Sequence, residues 1–134
     1  MGPMYSLSET FTKMNDKDLD FWGLTKYFKY DGDPFGCIEY GYIPDHIQSH
    51  FIVCRNSLVK SEDFHDYWDY MPMIHNYSEA IGKHEAIFTK HFADMGYKWD
   101  VSVNVDELRN YSGYGLSFKE YVLFIFRHCF RRHF

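Results

Sequence analysis

The amino-acid sequence predicts an α/β fold, a small mixed sheet of about three strands flanked by helices. Residues 47–54 are rich in β-branched and apolar types, and Phe51–Cys54 is apolar on both faces, as in a strand covered on each side. Residues 78–95 repeat apolar groups every three or four positions, as an amphipathic helix does. The 134 residues are 46% apolar, 25% charged and 21% aromatic, which excludes a disordered or collagenous chain and suffices for one domain or part of one. The aromatic excess is the unusual quantity, because such large faces need cover.

Taken in order, residues 4–15 read as a short helix capped by Ser8 or Thr10. Residues 20–26 read as a strand with Trp22 and Leu24 on one face and Phe21 on the other. Gly23 inside it signals a close approach by another group, or a bulge. The Gly, Pro and Asp punctuation of residues 29–46 marks a long loop, a type of segment that often carries function. The strand beginning at Ile47 follows, then a turn and a helix with Ser57 and Ser61 as caps, stopped at Pro72. Helix 78–95 takes Ser78 as its cap and Gly96 as its end. Residues 97–103 alternate as a strand, 106–109 form a turn or short helix, and 111–115 a loop. Residues 117–134 are apolar nearly all round a helix, so a one-sided surface helix is not expected there.

Charge narrows the classes of function. Fourteen Lys and Arg stand against 19 Asp and Glu, a net charge of -5. No basic footprint accompanies the aromatics, so nucleic acid is not the expected partner. The balance is uneven, since residues 117–134 alone hold four basic groups and one acidic. Three cysteines, without a CxxC pair, favour a reducing compartment. The expected location is cytoplasmic, the basic-aromatic end of the chain either packing against protein or making a peripheral contact at the inner face of the cell membrane.

Several residues are candidates for chemistry. His84-Glu85-Ala-Ile-Phe88 begins like a zinc-binding helix, but Phe88 stands where the second histidine belongs. Glu85 flanks the apolar stripe of its helix, where a carboxylate either makes a boundary salt bridge or reaches a cleft as a general base. Asp31 and Asp33 have a D-x-D spacing able to hold Mg²⁺ or Mn²⁺, although a plain turn explains them better. His46 and Gln48, two apart at a strand entrance, suit hydrogen bonds either to a hydroxyl-rich ligand or to the loop they anchor. No serine-nucleophile or P-loop pattern occurs.

Five separated blocks appear together in one order: Asp20-Phe-Trp-Gly-Leu-Thr25, Ile38-Glu-Tyr-Gly-Tyr42, His46-Ile-Gln-Ser-His-Phe-Ile-Val53, Lys83-His-Glu-Ala-Ile-Phe-Thr89 and Gly96-Tyr-Lys-Trp-Asp-Val101. Over residues 2–110 the chain thereby resembles the rhamnan synthesis F family, glycosyltransferase-like proteins of bacterial cell-wall or lipopolysaccharide synthesis. The resemblance implies a GT-A-like domain using a nucleotide sugar with Mg²⁺ or Mn²⁺. It implies sugar-side roles for Trp22, Gly23, His46, Gln48 and His84, with Glu85 as the base.

The resemblance also places the donor-binding half before Gly2, so residues 1–116 are expected to be the second half of such a domain and 117–134 a basic-aromatic helical tail. On that expectation this chain binds no cofactor alone and is inactive without a partner half. Its expected partners are that half or a second copy through exposed aromatic faces, a carbohydrate acceptor, and a membrane surface. The competing expectation is a non-catalytic carbohydrate-binding or assembly module.

Overall fold

The structure, a computed structural model, describes residues 6–103. The turn, loop and tail expected after Asn104 lie outside those residues. The chain divides into two compact units, one containing residues 1–18 and 102–134, the other Leu19–Val101. In the first, α1 (Leu7–Asn15) is capped by Ser6, not by Ser8 or Thr10. Ser6 Oγ accepts from Glu9 N–H at 3.1 Å, and the Glu9 carboxylate accepts from Ser6 N–H at 2.9 Å. This reciprocal box satisfies two backbone donors at once, which neither later hydroxyl could do. Thr10 and Thr12 instead return their hydroxyls to the carbonyls of Ser6 and Ser8.

The second unit holds the mixed α/β layering. β1 (Phe21–Gly23) lies between β4 (Ile52–Cys54), antiparallel to it, and β5 (Trp99–Val101), parallel to it. β2 (Lys26–Tyr27) and β3 (His46–Ile47) form a separate antiparallel pair. The expected strand 20–26 is therefore interrupted, and so is the strand expected from Ile47.

Both interruptions belong to one irregularity. Tyr27 faces His46 and Lys26 faces Ile47; pairing resumes with Gly23 opposite Ile52. Between them, two residues (24 and 25) oppose four (48–51), a bulge of two extra residues. A backbone bond spans the gap, from Gln48 N–H to the Thr25 carbonyl at 3.0 Å. Gly23 is needed here because a β-carbon would collide with Ile47 Cγ2 and lie 3.0 Å from the Phe51 carbonyl.

Residues 28–45 form the long loop. Asp33 organises its first half, its carboxylate accepting from the backbone N–H groups of Phe35, Gly36 and Ile38 at 3.1, 2.8 and 2.9 Å. A bridge between Tyr30 and Ile43 closes the loop.

α2 (Asn56–Val59) and α3 (Glu62–Asp69) follow β4. Ser61 caps α3 as expected, accepting from Phe64 N–H at 3.1 Å. Ser57 caps nothing; Arg55 holds the N-cap position of α2, and the Ser57 hydroxyl bonds Asp20 at 2.6 Å. The long helix expected at 78–95 starts earlier and is not uniform. Asn76 caps α4 (Tyr77–Ala80), a π-helical turn occupies Ile81–Glu85, and α5 (Ala86–Asp94) completes it. Gly96, at φ +99°, supplies the left-handed residue that ends it.

α5 packs two ways. Phe88 and Phe92 meet Phe21, Ile47 and Leu58, while Ala86 and Ile87 cover Ile38 and Ile43 of the loop. Much of the aromatic excess is here, with Phe21 edge-on to Phe88 at 5.8 Å and Tyr67 edge-on to Phe88 at 5.5 Å. Burial pushes the Tyr67 phenol up to about 12. Among the described residues, no helix is long and apolar enough to cross a membrane.

Candidate active site

The bulge of the β ribbon and the π turn of the helix meet. Both are departures from regular geometry that commonly accompany functional sites. Glu85, last residue of the π turn, accepts a hydrogen bond from Ser49 Oγ of the bulge through Oε2. Its Oε1 faces His46 Nε2 at 3.9 Å. Glu85 is half-buried and His46 buried, whereas Ser49 and His50 are exposed. The cluster thus runs from a solvated mouth to a dry floor.

His46 is held in one orientation. Its Nδ1 lies 2.8 Å from the Pro44 carbonyl, which only accepts, so Nδ1 carries the proton. Tyr27 stacks on the ring at 5.4 Å and 14°. Burial lowers the His46 pKa, outweighing the opposite effects of Pro44 and Glu85, so the imidazole is neutral near pH 7. Nε2 then presents a lone pair toward the Glu85 carboxylate. Two acceptors converging at 3.9 Å invite a group that brings a proton between them.

Gln48 and Thr25 form the adjoining wall. Thr25 Oγ1 donates to Gln48 Oε1 at 2.5 Å and lies 3.5 Å from His50 Nε2. Thr89 of α5 anchors the entrance strand, its Oγ1 accepting from Ile47 N–H at 2.9 Å. The π turn is seated by Gly82, where a β-carbon would strike Cys37 Sγ and crowd Phe35 Cβ at 3.3 Å.

The sequence-derived candidates separate. His46, Gln48 and Glu85 come together around the bulge. His84, although adjacent to Glu85, turns to α3, with Nδ1 3.3 Å from the Tyr67 hydroxyl. Trp22 has no exposed surface and packs against Phe51 at 5.8 Å, so its ring supports the site from inside. Gly23 serves the approach of Ile47. Sequence reasoning gives Thr25 and Ser49 no role, and weighs His50 only as a metal partner of His46, which four residues of extended strand rule out. Their signal was the polar triplet Gln48-Ser49-His50, which interrupts an otherwise apolar strand.

A family model described as rhamnan synthesis protein F matches residues 1–127. The chain belongs to the rhamnan synthesis protein F family. It has a role in rhamnan, and hence polysaccharide, synthesis. No curated protein sequence and no solved structure shows a significant match to this member.

For this rhamnan synthesis protein, the metal implied by a nucleotide-sugar reaction can be tested against the acidic residues. Both Asp33 oxygens are engaged by backbone N–H groups, and Asp31 pairs with Lys29 at 3.3 Å. The described residues contain no group of three or more His, Cys, Asp or Glu able to hold a metal. Asp31 and Asp33 therefore do not fit a divalent-ion site.

Proposed function

We propose that this chain is the acceptor side of a GT-A-like, nucleotide-sugar-dependent hexosyltransferase of rhamnose-containing cell-wall or lipopolysaccharide synthesis. The observation that carries this reading is the convergence of the Glu85 carboxylate and the His46 Nε2 lone pair. An acceptor sugar hydroxyl supplies the proton that neither group has. Glu85 takes that proton as the hydroxyl oxygen bonds the anomeric carbon of the donor, and the electron pair of the broken C–O bond leaves with the nucleoside diphosphate. Ser49 fixes the carboxylate and Gln48 lines the wall beside it. His84 supports the turn that presents Glu85. The donor nucleotide and any divalent ion are held by groups other than Glu85, His46, Gln48 and Ser49.

The test uses the full chain in cells lacking the natural gene product, with polymer rhamnose content and transfer from labelled nucleotide sugars as readouts. Glu85→Gln is expected to reduce transfer about 10²–10⁴-fold, the usual contribution of a general base, while leaving acceptor binding in place. Ser49→Ala should give a smaller loss. An unchanged rate in Glu85→Gln removes Glu85 as the base. Retained oligosaccharide binding without transfer from any of the labelled nucleotide sugars would favour a non-catalytic carbohydrate module.

A further inference from the structure

Away from Glu85, the chain between the end of α3 and the start of α4 displays large apolar groups to solvent. Tyr70, Tyr77, Met73 and Trp68 are 84, 81, 73 and 47% exposed, and Met71 is exposed beside them. This is a concentrated ridge of aromatic and thioether groups, of the kind that marks an interaction surface. It is also acidic: residues 62–79 contain five carboxylates and no Lys or Arg, and although Lys83 pairs with Glu79 and Tyr97 donates to Asp63, the charge balance stays negative.

Its complement lies in the same sequence. Residues 117–134 hold Lys119, Arg127, Arg131 and Arg132 against Glu120 alone, among six Phe and Tyr residues. Arg side chains interact with Trp and Tyr faces, and Met adapts to irregular apolar partners. Opposite charge would steer the two surfaces together.

We propose that the ridge of one copy receives residues 117–134 of a second copy. Each copy carries both the ridge and residues 117–134, so reciprocal exchange closes a two-fold dimer. An anionic lipid surface would be repelled by the carboxylates of the ridge, and a neutral polysaccharide would leave the basic stretch without a role. The inference is independent of the chemistry at Glu85.

The test is sedimentation of the full chain in two variants. One carries Trp68→Ser, Tyr70→Ser and Tyr77→Ser; the other carries Arg127→Glu, Arg131→Glu and Arg132→Glu. The unaltered chain should dimerise, more weakly at high salt, and each variant alone should lose at least tenfold in dimer affinity. Mixing the two variants should restore a weaker heterodimer, because one complete contact survives. Asp66→Asn with Asp69→Asn, a milder change on exposed carboxylates, should weaken the dimer and reduce its salt dependence. A monomer at every accessible concentration overturns the proposal, as does dimerisation indifferent to these changes or a mixture that fails to associate. It is equally overturned if the arginine variant loses only binding to anionic vesicles, or the aromatic variant only binding to rhamnan oligosaccharide.

Discussion

Gly82 and Cys37 share one space: the cysteine sulfur occupies the position that a β-carbon at Gly82 would need. The loop residue and the π turn presenting Glu85 are consequently fitted to each other. Gly82→Ala should destabilise the protein by about 1–3 kcal/mol, the usual cost of overpacking a filled site. Cys37→Ala, nearly harmless alone, should recover much of that loss in the double variant, seen as a restored urea midpoint. Equal losses in the single and double variants would show that Cys37 is not the obstructing group.

Thr89 ties α5 to the entrance strand through the buried bond from Ile47 N–H. Thr89→Val keeps the shape and removes the acceptor, so the midpoint should fall by an amount equivalent to about 1–3 kcal/mol. Thr89→Ser should retain more of the bond's contribution. A valine variant as stable as the parent would mean that Ile47 N–H finds another acceptor.

The buried Thr25–Gln48 bond offers a different test, because both partners can be made apolar. Thr25→Val alone leaves the Gln48 carbonyl oxygen without its hydroxyl donor, at a cost of about 1–3 kcal/mol. Adding Gln48→Met should recover part of it, since no polar group is then stranded. Additive losses would contradict a direct coupling between the two side chains.

His46 gives the protein an acid-side weakness. Burial keeps its folded pKa below the ordinary 6.5, so the unfolded chain binds the proton more readily. Its contribution to stability is complete above about pH 6.5 and is lost as pH falls through the folded pKa. Chemical denaturation should therefore give a midpoint that declines on acidification below that value, and His46→Gln should flatten the decline. An identical pH profile in the variant would assign the weakness to other groups.

Much of this architecture was legible because it rests on local rules. Ser61 announced a helix start, Gly96 a helix end, and Gly23 a close approach, each through its own backbone chemistry. The caps Ser6 and Asn76 were missed because Ser8, Thr10 and Ser78 are comparable residues nearby, and the choice depends on which side chain closes a reciprocal or three-residue bond. Apolar patterning around Ile47 and Phe51 resembled one strand. Its interruption arises from the pairing of Gln48–Phe51 with a shorter opposing segment, which no single strand reveals. His46, Gln48 and Glu85 carried a visible chemical signal, but their meeting depends on the π turn, which apolar periodicity along 78–95 concealed.

The two extra residues of the bulge also set a parity. Alternation of side chains along a strand has a period of two, so an even excess keeps β3 facing β2 in the same phase as β4 faces β1. One residue more or fewer would turn every side chain of one strand over, exchanging inward for outward. A variant with two residues added to or removed from this segment would keep the ribbon in phase. The length of the segment bearing Ser49 and His50 is thus tied to the phase of the strands on either side of it, while the Ser49 hydroxyl is fixed separately by its bond to Glu85.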